Sequence, residues 1–568
     1  MIKEIVKHYF NIKSLTKQIS KYRLYIFLSG LSLAIFLSNS IYIAYPDEFV
    51  NVLGGKIILQ GLLPYKDYFD HHMPFAWYLG SLLLFISKGN FIIFRILWGV
   101  LQYLLYLMLG LWIFRNHKKF ALWYFVYLLV VPAFNEYFWL HLFLGDALAA
   151  IFFTVSMIMI FLETLERSNS KLIWIVAPLS VTLLIFSSLS FLYLGIVLLL
   201  WIAYLYFDHE LKREWESILK VKNLKRISLL VFVFVLPYFI YGGYLLITGS
   251  FKDFLFANFT YNTEHYISID GYARAARFNP IRFSLTLINN FWKAFLPSIG
   301  QLSDLTLYQP IAKMSSLALF FLMLIFFRRS KIYGVLYLLT ISFLAPRSSQ
   351  LVLAKETDYQ MGVYLTAGFF ASFFVLYVIT TLYKEEKYPY KKIVNGVAYI
   401  WIGLYLLSSI LFMLYNSYSV WYGRYMGTLP PIVNYSYVAE YIDNLVSPGE
   451  TYWIGPFEAH NHYFVKKGKF ASKYPSLLPQ FAESDYLRND FINEMERTKP
   501  TLIVFKHAMG IFGTPADKFG AFFLDWMKGK YVSCKELKIL CKQNLRDFDV
   551  VGDVYVRKDR MDIIEKIK

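Results

Sequence analysis

Up to about residue 415 the chain alternates between long apolar stretches and short polar, mostly basic runs; beyond that point the apolar stretches become short. A helix that crosses a bilayer needs about 20 mostly apolar residues. Candidates follow in quick succession: Leu24 to Ala44, Phe91 to Phe114, Phe120 to Phe134, Ala147 to Leu162, Leu172 to Ser188, Phe191 to Phe207, Ile227 to Thr248, Ile311 to Phe327, Ile332 to Ala345, Met361 to Tyr383 and Ile393 to Tyr415. The pattern predicts about eleven spans. Phe75 to Ser87 is as apolar but too short, lying between Met73-Pro74 and Lys88-Gly89-Asn90; it is expected to rest in the interface with Trp77 and Tyr78 at headgroup level. In the tail, Thr451 to Ile454, Thr501 to Phe505 and Asp553 to Val556 are short apolar segments set among helical or polar stretches and the breaks Pro448-Gly449 and Lys499-Pro500. That spacing predicts a small α/β domain.

The basic residues orient these elements. Arg115/Lys118/Lys119, Arg167/Lys171, Lys212 to Arg226, Arg328/Arg329/Lys331 and Lys384 to Lys392 fall on one side if the N-terminus is cytoplasmic, as loops rich in Lys and Arg are. The expected fold is therefore mainly α: a polytopic transmembrane helix bundle over residues 1–415, N-terminus in and C-terminus out, followed by an extracytoplasmic α/β domain over 416–568. Its large outer loops are 45–90 and 249–310.

Composition agrees with a bilayer as the main solvent, since 57% of the 568 residues are hydrophobic and 20% aromatic. The net charge of +18 raises the question of nucleic acid, but the basic residues flank apolar stretches, and no basic face interleaved with stacking aromatics is seen. The expected location is the cytoplasmic membrane, in contact with its lipids. The basic start before Leu24 resembles a signal peptide, yet no small-x-small site follows, so an uncleaved first helix is expected. Cys534 and Cys541, on the expected outer side, leave both a disulfide and two free thiols open.

Polar residues suited to chemistry concentrate in the outer loops. The first reads Tyr45-Pro46-Asp47-Glu48, then Gln60-Gly61-Leu62-Leu63-Pro64-Tyr65, then Asp67-Tyr68-Phe69-Asp70-His71-His72-Met73-Pro74. Carboxylates at a membrane surface are desolvated and rise in pKa, which suits Asp47 to act as general base on a hydroxyl. The alternative reading of Asp47 and Glu48 is a favourable charge at a helix start. Asp146 opens another apolar helix and carries the same two readings.

The order of acidic pair, helix, Gly-x-x-Pro-Tyr, Asp-containing stretch and Pro before an aromatic-rich amphipathic segment resembles the first outer loop of the GT-C superfamily of membrane glycosyltransferases. The similarity is greatest to the bacterial branch related to protein O-mannosyltransferases and the lipid A aminoarabinose transferase. The resemblance implies transfer of a sugar from a polyprenyl-phosphate donor to a glycan, lipid or protein acceptor, with Asp47, Glu48 and Asp146 at the catalytic centre. It places Arg95 at the donor phosphate and allows a divalent metal cation held by Asp47, Asp146 and His71, with Glu48, His72 or His141 as further ligands. Where many relatives have Lys before the Pro of this loop, the chain has His72-Met73-Pro74, so phosphate recognition would fall to His72 together with Arg274, Arg277 or Arg347. Asp358 stands where related chains often carry His. In the tail, Glu458, His460, His462 and Lys473 are candidates for acceptor contact or for simple surface positions. No nucleotide or nicotinamide cofactor is implied, and no Gly-rich phosphate loop is found. Two rivals remain: a polymerase or ligase using diphosphate-linked glycan through an Arg-rich outer loop, and a transporter or flippase, which would carry polar residues near the midplane of its spans.

Overall fold

The computed structural model describes residues 12–136, 139–168, 170–211, 221–266, 308–344, 362–381, 391–429, 432, 434–533 and 553–563. The bundle comprises α1 (Ile12–Ser38), α2 (Pro46–Leu59), α3 (Phe75–Ser87), α4 (Phe91–Asn116), α5 (Lys118–Phe134), α6 (Gly145–Leu165), α7 (Ile173–Ser187), α8 (Leu192–His209), α9 (Val221–Ile247), α10 (Phe251–Leu255, passing into a π-helical Phe256–His265), α11 (Tyr308–Arg329), α12 (Lys331–Ser342), α13 (Gly362–Thr381) and α14 (Lys391–Tyr425). Among the described residues, seven stretches are long and apolar enough to cross a membrane, lying in α1, α4, α6, the turn leading into α8 with α8 itself, α9, α13 and α14. Helices α3, α7 and α12 are apolar but shorter.

Helix α6 is the axis of the bundle, buried along nearly all its length and packed against α7, α8, α13 and α4. Peripheral helices turn large apolar side chains outward, as Phe239, Ile240 and Ile247 on α9 and Tyr399 and Ile400 on α14 do. A surface of that kind is stable in lipid and would aggregate in water. Some polar groups inside the bundle pair across helices. Pro132 has no N–H for the carbonyl of Leu128 one turn before it, and Ser32 Oγ of α1 donates to that carbonyl at 2.9 Å. Tyr405 of α14 joins three helices, its hydroxyl lying 2.7 Å from both Ser315 of α11 and Ser372 of α13.

Helix α3 has the expected bounds, ending on Lys88 and Gly89 in left-handed conformation, but Trp77, expected at headgroup level, is fully buried against Tyr65 and Tyr68. It crosses α2 at a point where both must be bare: a Cβ on Gly55 would lie 2.8 Å from the backbone of Gly80. The final helix differs from expectation, running through Tyr425 rather than stopping at Tyr415.

Beyond it comes α15 (Tyr437–Leu445), then β1 (Thr451–Gly455), α16 (Ala459–Phe464), β2 (Lys469–Phe470), α17 (Gln480–Glu483), α18 (Asp485–Thr498), β3 (Leu502–Phe505), the hairpin β4 (Gly510–Ile511) and β5 (Thr514–Pro515), α19 (Ala516–Phe519), α20 (Ala521–Met527), β6 (Tyr531–Ser533) and β7 (Asp553–Arg557). The five-stranded sheet has the order β2-β1-β3-β7-β6. Its β1 is parallel to β2 and β3, with Trp453 opposite Ile503, and β7 is antiparallel to both neighbours, with Tyr555 opposite Ile503. Trp453, Phe491 and Phe523 pack edge to face beneath it at 5.1–5.4 Å. Cys534 and Cys541 lie outside the described residues.

This α/β unit is seated on α2 through α16. Phe49 stacks on Phe91 at 4.5 Å and meets the His460 ring edge-on at 4.5 Å. Lys56 Nζ donates to the carbonyls of Tyr463 and Val465, both at 2.7 Å, filling acceptors that the short helix leaves open at its C-terminal end. Burial pushes the Lys56 amine down to about 8.

Candidate functional site

The two neighbouring carboxylates at the start of α2 go to different places, because consecutive residues on a helix point about 100° apart. Pro46 fixes the first helical position, and Asp47 and Glu48 occupy the first turn, where the helix dipole favours negative charge. Glu48 turns inward and is fully buried. Its Oε1 accepts from the Phe143 N–H at 3.1 Å and lies 3.5 Å from Arg95 Nε. Burial pushes the Glu48 carboxyl up, and Arg95 and the Phe143 N–H draw it part of the way back. Arg95 is 1% exposed, and Nη1 donates to the Tyr42 carbonyl at 2.6 Å.

Glu48, expected as a catalytic group, and Arg95, expected at the donor phosphate, are both buried. They form an interior ion pair that ties α2, α4 and the loop before α6 together, and removal of either partner would strand a buried charge.

Asp47 instead faces His72. Burial pushes the Asp47 carboxyl up; the His72 imidazole pulls it down and Asp70 pushes it up again. His72 is in turn acted on by Asp70, Asp47 and Asp146, so the carboxylates opening α2 and α6 both act on this one imidazole. Its side chain is 59% exposed. Asp146 is held there by the close seating of α6 on the end of α7: a Cβ on Gly145 would lie 2.6 Å from the Ser187 carbonyl oxygen.

The loop between α2 and α3 presents His72. Gly61 takes a positive φ of 80°, Tyr65 follows at φ 68°, and the Tyr65 hydroxyl donates to the His72 carbonyl at 2.9 Å. Tyr65 and Tyr68 lean on Trp77 of α3 at 5.2 and 5.6 Å, so the Gly-x-x-Pro-Tyr element is the buttress of the loop. Asp70, 6% exposed, accepts from the His72 backbone N–H at 3.2 Å and lies 2.6 Å from His72 Nδ1. Burial by itself raises the Asp70 carboxyl, but the paired His72 outweighs it and leaves Asp70 below the ordinary range. Burial lowers His72, whereas Asp70 and then Asp47 and Asp146 raise it, to about 9. At neutral pH the site thus holds an imidazolium fixed by one buried carboxylate and faced by two more.

A metal set of Asp47, Asp146 and His71 is not what the described residues bring together; the three whose ligand atoms gather within 4.8 Å are Asp70, His71 and His72. His72 Nδ1 lies 2.6 Å and His71 Nδ1 3.6 Å from the same oxygen, Asp70 Oδ1. His141 has both ring nitrogens on backbone carbonyls, those of Asn135 and Ile43, and burial pushes it down to about 3.

Asp70 was not among the candidates drawn from sequence, and the Asp-x-His spacing of Asp70 and His72 was the signal for the pair. Arg274, Arg277, Arg347 and Asp358 lie outside the described residues. Of the tail candidates, Glu458 pairs with Lys506 at 2.8 Å, His462 is buried against the Ile454 carbonyl at 2.8 Å, and Lys473 pairs with Asp490 at 2.8 Å. With His460 on Phe49, these residues build the domain and its seat.

Compared with models of known protein families, the chain matches none, and no curated protein is similar to it.

Proposed function

We propose that the chain is an inverting glycosyltransferase that moves a sugar from a polyprenyl-phosphate donor to an acceptor hydroxyl at the outer face of the cytoplasmic membrane. In this reading about eleven spans carry the chain across the bilayer, and the loop of Asp47, the loop of Asp146 and the α/β unit all lie outside. The supporting observation is the Asp70-bound His72 imidazole, on which the carboxylates that open α2 and α6, Asp47 and Asp146, both act.

A carboxylate raised by burial is a stronger base than one in water, and Asp47 takes the acceptor proton. The acceptor oxygen attacks the anomeric carbon as its bond to phosphate breaks on the opposite side. Negative charge then grows on the departing polyprenyl phosphate, and the His72 imidazolium is the cation placed to meet it. Asp70 keeps that imidazole charged and oriented. Replacement of Asp47 by Asn keeps the shape and removes the base. Transfer from a polyprenyl-phosphate sugar by the purified protein is expected to fall by about 10²- to 10⁴-fold; turnover equal to wild type would end this assignment.

A further inference from the structure

The hairpin β4–β5 turns through two residues, Phe512 and Gly513, both at positive φ, 49° and 76°. Two-residue turns of this kind favour Asn-Gly, because a bulky side chain is strained in the left-handed region. Here the strained position carries a phenyl ring that is 49% exposed, although the fold gains little by burying it. Strain kept at an exposed aromatic points to a use for the ring.

The place of the ring suggests that use. Phe512 meets Tyr266 edge to face at 6.4 Å, Tyr266 lies against His71 at 4.6 Å, and His71 lies against His72 at 4.2 Å. A row of rings therefore leads from the tip of the hairpin to the candidate catalytic imidazole. Tyr266 directly follows the π-helical turn Phe256–His265, a rare conformation that recurs at functional sites, and Asn262 of that turn donates to the His71 carbonyl at 3.3 Å. The flat apolar face of an exposed aromatic ring is a surface on which the C–H face of a sugar ring lies.

We infer that Phe512 and Tyr266 form an acceptor subsite for a saccharide, so that the hydroxyl delivered to Asp47 belongs to a glycan. This rests on the transferase reading for its place in a reaction, but the subsite can be tested without turnover. The full chain in lipid nanodiscs is mixed with neutral tetrasaccharides of glucose, mannose, galactose or N-acetylglucosamine, and binding is read by saturation-transfer NMR. Wild type is expected to bind at least one of them. F512N, which supplies the residue the turn prefers and so leaves the hairpin intact, should weaken that binding about five-fold, the worth of one aromatic contact, and Y266A should do the same. F512W should retain it. Equal binding by wild type and F512N, or no binding of any tetrasaccharide, overturns the subsite. Loss of the transferase reading alone would appear as undiminished transfer by D47N while the saccharide binding and its dependence on Phe512 persist.

Discussion

The Asp70–His72 pair gives single side chains the largest leverage over the site. His72 is raised from 6.5 to about 9, and Asp70 is the strongest of the groups that raise it. Because the folded value lies above the unfolded one, the stabilisation that His72 lends its loop is complete below pH 6.5 and is lost as pH rises through 9. Activity that needs the imidazolium should follow the same alkaline limb, while the raised Asp47 places the acid limb above the ordinary carboxylate range. In D70N the imidazole keeps the desolvation that lowers it and loses its main partner. The alkaline limb of a pH–rate profile is expected to move down by at least one pH unit, roughly the weight of one close opposite charge; an unmoved limb would show that His72 does not carry it. The opposite directions taken by Asp47 and Glu48 were not legible in the sequence, since two adjacent acids at a helix start look alike until a partner such as Arg95 is placed beside one of them.

Lys56 shows the same leverage for a whole element. Its ammonium is the cation on the open carbonyls of α16, and K56M leaves those carbonyls buried without a donor. Hydrogen bonds to a charged group contribute about 1.5–3 kcal/mol, so amide hydrogen exchange in α16 should rise on the order of 10- to 100-fold, with the sheet core unchanged. Exchange like that of wild type would mean that Phe49 and its ring neighbours hold the seat alone. The strands of this unit were legible to within a residue at Thr451, Leu502 and Asp553, because alternation and Pro/Gly breaks are local signals. The end of α14 was not: the expected span stops at Tyr415, yet Tyr418, Trp421, Tyr422 and Tyr425 continue the helix with their rings exposed. At 35 residues α14 is about 50 Å long, well beyond the roughly 30 Å of hydrocarbon.

For the molecule as a whole, the distribution of basic runs assigns sides to loops that the structure places at opposite ends of α6. In a chain whose Cys534 and Cys541 are replaced by Ser, S447C in the α/β unit should react with a membrane-impermeant maleimide in intact cells. S330C, between α11 and α12, should react only after the membrane is opened. Labelling of both from outside, or of S330C alone, would reverse the sidedness and with it the placing of Asp47. The bundle was legible in outline from apolar run length, but the seating of the tail on α2 was not, because it joins residues hundreds of positions apart through contacts such as Tyr463 with the Gly89 carbonyl. Helix α2 itself is gripped on two flanks, by Arg95 through Glu48 and by α16 through Phe49 and Lys56, with Asp47 at its free end. A rod clamped along its shaft leaves its tip little play, so in the proposed transferase the reach of Asp47 toward an acceptor hydroxyl would be set by the fit between the bundle and the α/β unit, and loosening that fit would blunt the aim without touching the chemistry.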